Sequence, residues 1–301
     1  MIEKTVVGWD GSAPARAALD WAAEWSSGRD LLILRVLDDS IGVTDSFVAD
    51  SAAEAARSAL AEVVAEVQAA FPAVHVQSEF VRGDPISELR RRSSPESLVV
   101  VGTHRRDGAA VRFEWSPGTR LAAHANGPVA IIPMDDGATR SGVVVGVDGS
   151  VASDAAVAFA AGEARRTGQQ LRIIHAWQEP YPWQSPVTPD LLLGPEIPAD
   201  PGFLDTLEES HRQILEDAVT VATDAWPAVH VQRTLVRGPA QPALLEAARG
   251  ATLLVVGNHG RRGVERLLLG SVSHSIALHI PSPTVVVRAA AGPEAQQPEA
   301  Q

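Results

Sequence analysis

Short apolar runs of strand length alternate along this chain with longer, alanine-rich segments. In the second half the apolar runs predict five strands, near 143–147, 171–177, 229–236, 252–257 and 284–288. The segments between them predict helices at 151–167, 203–225, 240–249 and 270–279. In the first half the runs predict strands near 5–9, 31–37, 74–81, 98–102 and 129–133. Alternating helices and apolar strands indicate an α/β fold in which helices cover both faces of a parallel sheet.

The two halves of the chain repeat each other. The segments 6–12, 72–77 and 81–83 return at 144–150, 227–232 and 236–238. The spacing from Gly102 to Pro128 also equals that from Gly257 to Pro283. So long a period indicates duplicated domains rather than a solenoid. We predict two tandem open-sheet domains, 1–136 and 142–290, joined by a short linker and followed by a disordered tail at 291–301.

One insertion distinguishes the second half. About residues 178–201 follow its second predicted strand, and they are rich in proline and contain Tyr181 and Trp183. A long loop at the C-terminal end of a strand is either a lid over a ligand or an exposed excursion. The sequence leaves both readings open.

Composition and charge restrict the function classes. The formal net charge is −12, which argues against general affinity for nucleic acid. No apolar run approaches the roughly 18–20 residues of a membrane span, and the N-terminal segment does not resemble a signal peptide. The chain has no cysteine, so disulfides and thiolate zinc sites are excluded. We expect a cytoplasmic protein that captures any anionic ligand through backbone amides and a few arginines.

A glycine-rich pattern in the second half predicts a phosphate site. An apolar strand at 253–256 runs into Gly257-Asn258-His259-Gly260, and Arg261 follows. Glycines allow close approach of the backbone to a ligand, and arginine adds positive charge. After nine intervening residues, a predicted helix begins at Gly270-Ser271-Val272-Ser273, where free N–H groups and the helix dipole favour an anion. The hydroxyls of Ser271 and Ser273 add donors.

A third loop, Asp148-Gly149-Ser150, follows the first strand of the same half. In open α/β sheets ligands bind beyond the C-terminal ends of the strands, where the strand order reverses. Asp148 could accept a hydrogen bond from a ribose hydroxyl or an adenine amino group, or hold a magnesium ion through water. The alternative is that the loop simply caps the next helix.

These loops together resemble the universal stress protein family, in its tandem two-domain form and its ATP-binding branch. The likeness covers about residues 4–134 and 142–288. It implies five-stranded sheets of order 3-2-1-4-5, with ATP at the switch point. It places Asp148 at the adenosine, and the backbone of Ala176 and Gly238 beside the adenine and ribose. It assigns the phosphates to Gly257, Gly260, Gly270, Ser271 and Val272.

The resemblance also implies that the fifth strands of the two domains pair. Segment 129–132 would then face segment 285–287 within one chain. That pairing makes the chain a pseudodimer, and it leaves open whether two chains pair again as a homodimer.

The first half departs from the nucleotide pattern. It keeps Asp10 and Gly102, but Arg105 replaces the glycine at 260, and Trp115 beside Ser116 replaces the glycine at 270. An indole at a position where backbone must touch phosphate would fill the pocket. We therefore expect about one ATP per chain, held mainly by the second domain. The opposing reading is that Arg105 reaches a phosphate and compensates.

Other functions remain as alternatives. The dinucleotide, P-loop and serine-hydrolase fingerprints are absent, and the nine histidines show no metal-ligand spacing. His75 and His230 match inside a predicted strand of the repeat, which predicts that they are packing residues. The pattern favours a nucleotide-dependent stress or signalling module. The alternatives are a slow ATPase and an interaction protein that does not depend on a nucleotide.

Overall fold

A computed structural model describes residues 2–38, 46–103, 117–178, 201–258 and 269–289 of the chain. The predicted tail at 291–301 and most of the insertion at 178–201 lie outside the described residues. None of the described helices combines the length and apolarity that a bilayer-spanning helix requires.

The first half contains five strands and four helices in alternation. In chain order they are β1 (Lys4–Gly8), α1 (Ala13–Trp25), β2 (Asp30–Leu37), α2 (Ser46–Ala70), β3 (His75–Arg82), α3 (Pro85–Arg91), β4 (Ser97–Thr103), α4 (Pro117–His124) and β5 (Val129–Pro133). The segment 134–142 leads from β5 to the second half.

The second half repeats this order. Its elements are β6 (Val143–Val147), α5 (Val151–Thr167), β7 (Leu171–Trp177), α6 (Pro201–Ala225), β8 (Val231–Arg237), α7 (Ala240–Arg249), β9 (Leu253–Gly257), α8 (Ser271–His279) and β10 (Thr284–Val287). Every strand and helix predicted for this half is present, with ends that differ from the expectation by at most two residues.

All ten strands belong to one sheet, in the order β3-β2-β1-β4-β5-β10-β9-β6-β7-β8. Within each half the order is therefore 3-2-1-4-5, and the strands are parallel. The predicted α/β fold class is confirmed. The two expected five-stranded sheets are joined into one, because β5 and β10 pair antiparallel with Val286 opposite Val129 and Thr284 opposite Ile131. This is the expected pairing of the fifth strands.

Side chains alternate between the two faces of the sheet and build two apolar cores. On one face, Val7 and Val145 pack with residues of α1, α2, α5 and α6. On the other face, Val6 and Val144 pack with residues of α3, α4, α7 and α8. Central strands are buried on both faces, which explains their unbroken apolar sequences.

The two edge strands, β3 and β8, are less buried than the central strands. β3 and β8 contain only exposed and half-buried positions, and each has a neighbouring strand on one side only. His75 at the start of β3 and His230 just before β8 are exposed. The predicted packing roles of these two histidines are therefore wrong. Two halves that share a fold also share surface positions, so a residue that recurs in the repeat need not be part of a core.

Candidate functional site

A cleft of about 230 Å³ opens at the C-terminal ends of β6, β7 and β9. From β6 the chain connects outward to β7 on one side, while β9 flanks β6 on the other side. The cleft therefore lies at the switch point of the second half, where α/β proteins bind ligands. Eight of the residues that the sequence predicted as ligand-binding line it: Asp148, Ser150, Ala176, Gly257, Gly270, Ser271, Val272 and Ser273.

The remaining predicted ligand-binding residues do not line the cleft or lie outside the described residues. Gly238 follows β8 and is not among the residues that line the cleft. Its N–H donates to the carbonyl oxygen of Trp177 at 2.8 Å, and its φ of +156° suits glycine. Gly260 and Arg261 lie outside the described residues, as do the first-half counterparts Arg105, Trp115 and Ser116.

The structure adds lining residues that sequence reasoning missed, namely Gly146, Val147, Ser153, Ile174, Ala240, Leu244 and Val256. One of them, Ile174, carried a usable signal. Ile174 lies two positions before Ala176 on β7, so the strand period places both on one face. Leu244 lies four positions after Ala240 on α7, which also places both on one face. That α7 reaches the cleft at all follows only from the packing of α7 on the sheet.

The loop after β6 is a tight turn that opens α5. The N–H of Ser150 donates to Asp148 Oδ1 at 3.0 Å, and Gly149 adopts φ +77°. Ser150 is the N-cap of α5, since its Oγ accepts from the N–H of Ser153 at 3.2 Å. The capping role therefore falls to Ser150, while Asp148 stabilises the turn and lines the cleft.

Gly257 at the end of β9 is required by packing. A Cβ atom at this position would lie 2.7 Å from the carbonyl carbon and oxygen of Ala152, in the first turn of α5. Gly102, its counterpart in the first half, meets the backbone of Pro14 in the same way, at 2.0 Å from the carbonyl oxygen. Both halves thus need glycine here whether or not a ligand binds.

The N-terminus of α8 forms another wall of the cleft. Its N-cap residue Gly270 has no side chain and therefore makes no side-chain hydrogen bond to the first N–H groups of the helix. Ser273 is 3% exposed, and its Oγ donates to the carbonyl oxygen of Gly257 at 2.6 Å. This bond ties the first turn of α8 to the end of β9. Because Ser273 uses its proton there, Ser271, which is exposed, is the serine free to donate elsewhere.

One carboxylate, that of Asp148 after β6, lines the cleft. Burial raises the pKa of the nearby Asp154 in the first turn of α5, and the carboxylates Asp148 and Asp217 raise it further. The N-terminal dipole of α8 adds a positive potential on its side of the cleft. Among the described residues, no group of three or more His, Cys, Asp or Glu side chains could hold a metal ion.

Comparison with known proteins decides the family. The model of the universal stress protein family matches residues 1–133 and 140–288. The chain belongs to the universal stress protein family. A universal stress protein of Mycolicibacterium smegmatis is 33% identical over 298 residues, or 94% of this chain and 96% of that protein. A universal stress protein of Mycobacterium tuberculosis is 30% identical over 307 residues, or 94% of each chain.

The fold is also that of solved universal stress proteins. The crystal structure of one from Archaeoglobus fulgidus superimposes with a TM-score of 0.66 at 21% identity, over 95% of this chain and 96% of that chain. At this identity the likeness shows the shared fold. The two-domain arrangement of the relatives agrees with the repeat seen here.

In this universal stress protein a histidine pair contacts the backbone of Val147, which lines the cleft. Nδ1 of His175 lies 2.7 Å from the carbonyl oxygen of Val147, and its Nε2 lies 2.8 Å from Nδ1 of His211. A carbonyl only accepts, so His175 carries its proton on Nδ1. His211 stacks on Trp177 with ring centroids 5.0 Å apart. Burial, and then the neighbouring His175, lower the pKa of His211.

In the first half a different residue contacts the carbonyl oxygen after the first strand. Arg35 Nη1 donates to the carbonyl oxygen of Trp9 at 3.4 Å, at the position that corresponds to the contact between His175 and Val147. The Asp10-Gly11-Ser12 turn is also the same as in the second half, because the N–H of Ser12 donates to Asp10 Oδ1 at 2.9 Å. These local features are therefore common to both halves of the chain and do not by themselves distinguish a binding domain.

Proposed function

We propose that this universal stress protein binds ATP in its second domain and acts as a nucleotide-dependent signalling module. The proposed domains are 1–136 and 142–290. The observation that carries the proposal is the cleft at the switch point, which combines the uncapped N-terminus of α8 with the carboxylate of Asp148 on the opposite wall. The first supplies N–H donors for an anion, and the second supplies an acceptor for hydroxyl or amino groups.

The charge distribution orients the ligand. The carboxylate of Asp148 repels phosphate from the end of β6, so the phosphates belong at α8 and the nucleoside at β6 and β7. Ala176 and Ile174 line the nucleoside side and offer the apolar surface on which a purine base packs. The predicted phosphate loop that begins at Gly257 joins the same end of the cleft.

The first domain serves in this proposal as scaffold and partner surface. Its sequence has Arg105 and Trp115 where the second domain has the glycines at 260 and 270. ATP occupancy of the second domain would then change the surface presented to a partner. A further pairing of two chains as a homodimer is part of the same proposal.

Titration of the purified full-length protein with ATP tests the proposal. Isothermal calorimetry should saturate near one nucleotide per chain, and native mass spectrometry should show the same count together with the number of subunits. Two tight sites of equal affinity would contradict the assignment to the second domain. Gly270→Trp, which copies the first-half residue, should abolish binding; unchanged affinity would show that the cleft is the wrong site.

A matched pair of substitutions separates binding from folding. Asp148→Ala and Asp10→Ala each remove the acceptor of one turn hydrogen bond, at 3.0 Å and 2.9 Å. Both should lower the free energy of unfolding by a similar amount, about 1 kcal/mol. Only Asp148→Ala should weaken ATP binding. Equal loss of affinity in the two variants would refute the role of Asp148 in the ligand site.

A further inference from the structure

Arg288 follows β10 and lies between the two halves of the molecule. Its Nη2 donates to the carbonyl oxygen of Ala123 at 2.6 Å, close to the C-terminus of α4 in the first half. On its other side lies the amide of Asn258. When that amide is oriented with its oxygen toward the guanidinium, it accepts from Nη2 at 2.8 Å and from Nε at 3.2 Å. One side chain therefore links the first half to the loop after β9.

The charge on Arg288 has no carboxylate partner among the described residues. Burial lowers its pKa, and the neighbouring Arg90 lowers it further. Its acceptors are neutral: one carbonyl at the negative end of a helix and one amide. A half-buried cation with only neutral acceptors is costly unless an anion also compensates it.

Asn258 stands at the start of the predicted phosphate loop, directly after Gly257. It is 5% exposed, and its N–H donates to the carbonyl oxygen of Val287 at 2.6 Å. Both its backbone and its side chain are thus held by the strand that precedes Arg288 and by Arg288 itself. These two contacts fix the position of Asn258 at the end of β9.

The pair occurs in one half only. At the spacing of the repeat, Asn258 corresponds to Thr103 and Arg288 corresponds to Pro133. Proline has no side-chain donor, so the first half cannot build this contact. The pair is therefore found in the half that keeps the complete glycine pattern, and it is missing from the half that has lost it.

We propose that Arg288 is a positioning residue of the nucleotide site: it holds Asn258, and so the start of the phosphate loop, against α4 of the first half. This inference rests on the function proposed above. Arg288 acts through Asn258, and its positive charge adds to the field that attracts phosphate. The first half thereby supports the site of the second, although its own glycine pattern is incomplete.

A purely structural link between the halves is the competing explanation, and the chain offers a control for it. Thr119 Oγ1 in α4 donates across the same interface to the carbonyl oxygen of Ala277 in α8, at 3.4 Å. Thr119→Val removes this bond with little change in volume and does not touch Asn258. It should lower the thermal stability slightly and leave the affinity for ATP unchanged.

The test measures ATP affinity and thermal stability for Arg288→Gln, Asn258→Ala and the double variant of the full-length chain. Each single variant should weaken ATP binding about tenfold, the equivalent of one charge-assisted hydrogen bond. The double variant should bind no more weakly than Arg288→Gln alone, because both remove the same link. Affinities equal to that of the wild type, or effects of the two substitutions that simply add, would overturn the inference.

Amide hydrogen exchange separates this inference from the proposed function. In Arg288→Gln without nucleotide, the N–H of Asn258 should exchange faster than in the wild type, while exchange in β6 stays unchanged. If the wild type bound no adenine nucleotide, the proposed function would fail and this readout would still decide whether Arg288 positions the loop. Unchanged exchange at Asn258 would show that it does not.

Discussion

The Cα atom of Gly257 lies against the carbonyl group of Ala152, so closely that a Cβ at position 257 would come within 2.7 Å of both its carbon and its oxygen. The first turn of α5 therefore crosses the end of β9 at Gly257, the first glycine of the predicted phosphate loop. The same crossing exists between Gly102 and Pro14 in the first half. This explains why the repeat keeps a glycine at this position in the half whose other glycines are replaced.

Substitution of either crossing glycine should destabilise the fold. Gly257→Ala should lower the free energy of unfolding by at least about 1–3 kcal/mol, because the contact is with backbone that cannot rotate away. Gly102→Ala should cost no less, since its Cβ would come within 2.0 Å of the Pro14 oxygen. Urea unfolding measures both.

Gly250→Ala is the control for these variants. No atom lies within 4 Å of a Cβ placed there, so a change below about 1 kcal/mol is expected. If Gly102→Ala were as stable as Gly250→Ala, the packing explanation for the shared glycine would be wrong.

Ser273→Ala should loosen the start of α8. The substitution removes the hydrogen bond from Ser273 Oγ to the carbonyl oxygen of Gly257 and should cost about 1 kcal/mol of stability. Ser275→Ala, two positions along the same helix, is the matched control, and it should change stability by less than about 0.5 kcal/mol. Chemical unfolding of the two variants distinguishes them, and equal stabilities would contradict a tie between α8 and β9.

The stability of the protein should fall as the pH drops below about 6.5. The pKa of His211 in the folded chain lies below the ordinary value of 6.5, which the unfolded chain retains. As the pH falls, the unfolded state therefore binds the proton first, and folding is weakened from about pH 6.5 down to the folded pKa. The contribution is fully present above pH 6.5. His211→Gln should be less stable at pH 7.5 and should lose less stability on acidification.

Thermal unfolding between pH 5 and pH 8 measures this difference. His230→Gln, a substitution at an exposed histidine remote from the pair, should reproduce the wild-type slope. A slope in His211→Gln as steep as that of the wild type would assign the acid sensitivity to other groups.

A charge at the joint between the halves should be severely destabilising. Val285 in β10 pairs with Ala130 in β5, and both are fully buried. Val285→Asp places a carboxylate there without a partner and should cost at least about 3 kcal/mol, or shift the pKa of the new carboxyl far upward. Gln232→Asp adds the same charge to the exposed edge strand β8 and should be nearly neutral. Comparable losses in the two variants would mean that the joint is not part of the core.

The sequence by itself determined the elements and their order. Strand β6 was predicted at 143–147 and is found there, and α5 was predicted at 151–167 and is found there. The reason is local: apolar runs, serine caps and glycine ends act over a few residues, and the repeat supplied each pattern twice. The larger error at β8, which begins at Val231 rather than 229, falls on an edge strand where burial gives a weaker pattern.

The sequence also placed several site residues in common loops, but it could not assign their roles. It predicted Gly257 as a phosphate glycine, which stays a prediction, and the structure adds a contact with Ala152 that requires glycine in both halves. It predicted Ser273 as a ligand-binding residue, which also stays a prediction, and the structure adds a hydrogen bond from its hydroxyl to Gly257. Only the tertiary structure revealed these two contacts, because each depends on how closely two elements approach.

Only the tertiary structure brought together the pairs that join distant parts of the chain. Arg288 meets Asn258 and Ala123, and His175 meets His211, across separations of 30 to 165 residues. Such contacts arise from strand order and helix packing, which place the ends of different elements side by side. A pattern of apolar and polar residues along the chain does not indicate which distant side chains face each other. The sequence therefore predicted the elements and their order, and only the tertiary structure identified the contacts between distant residues.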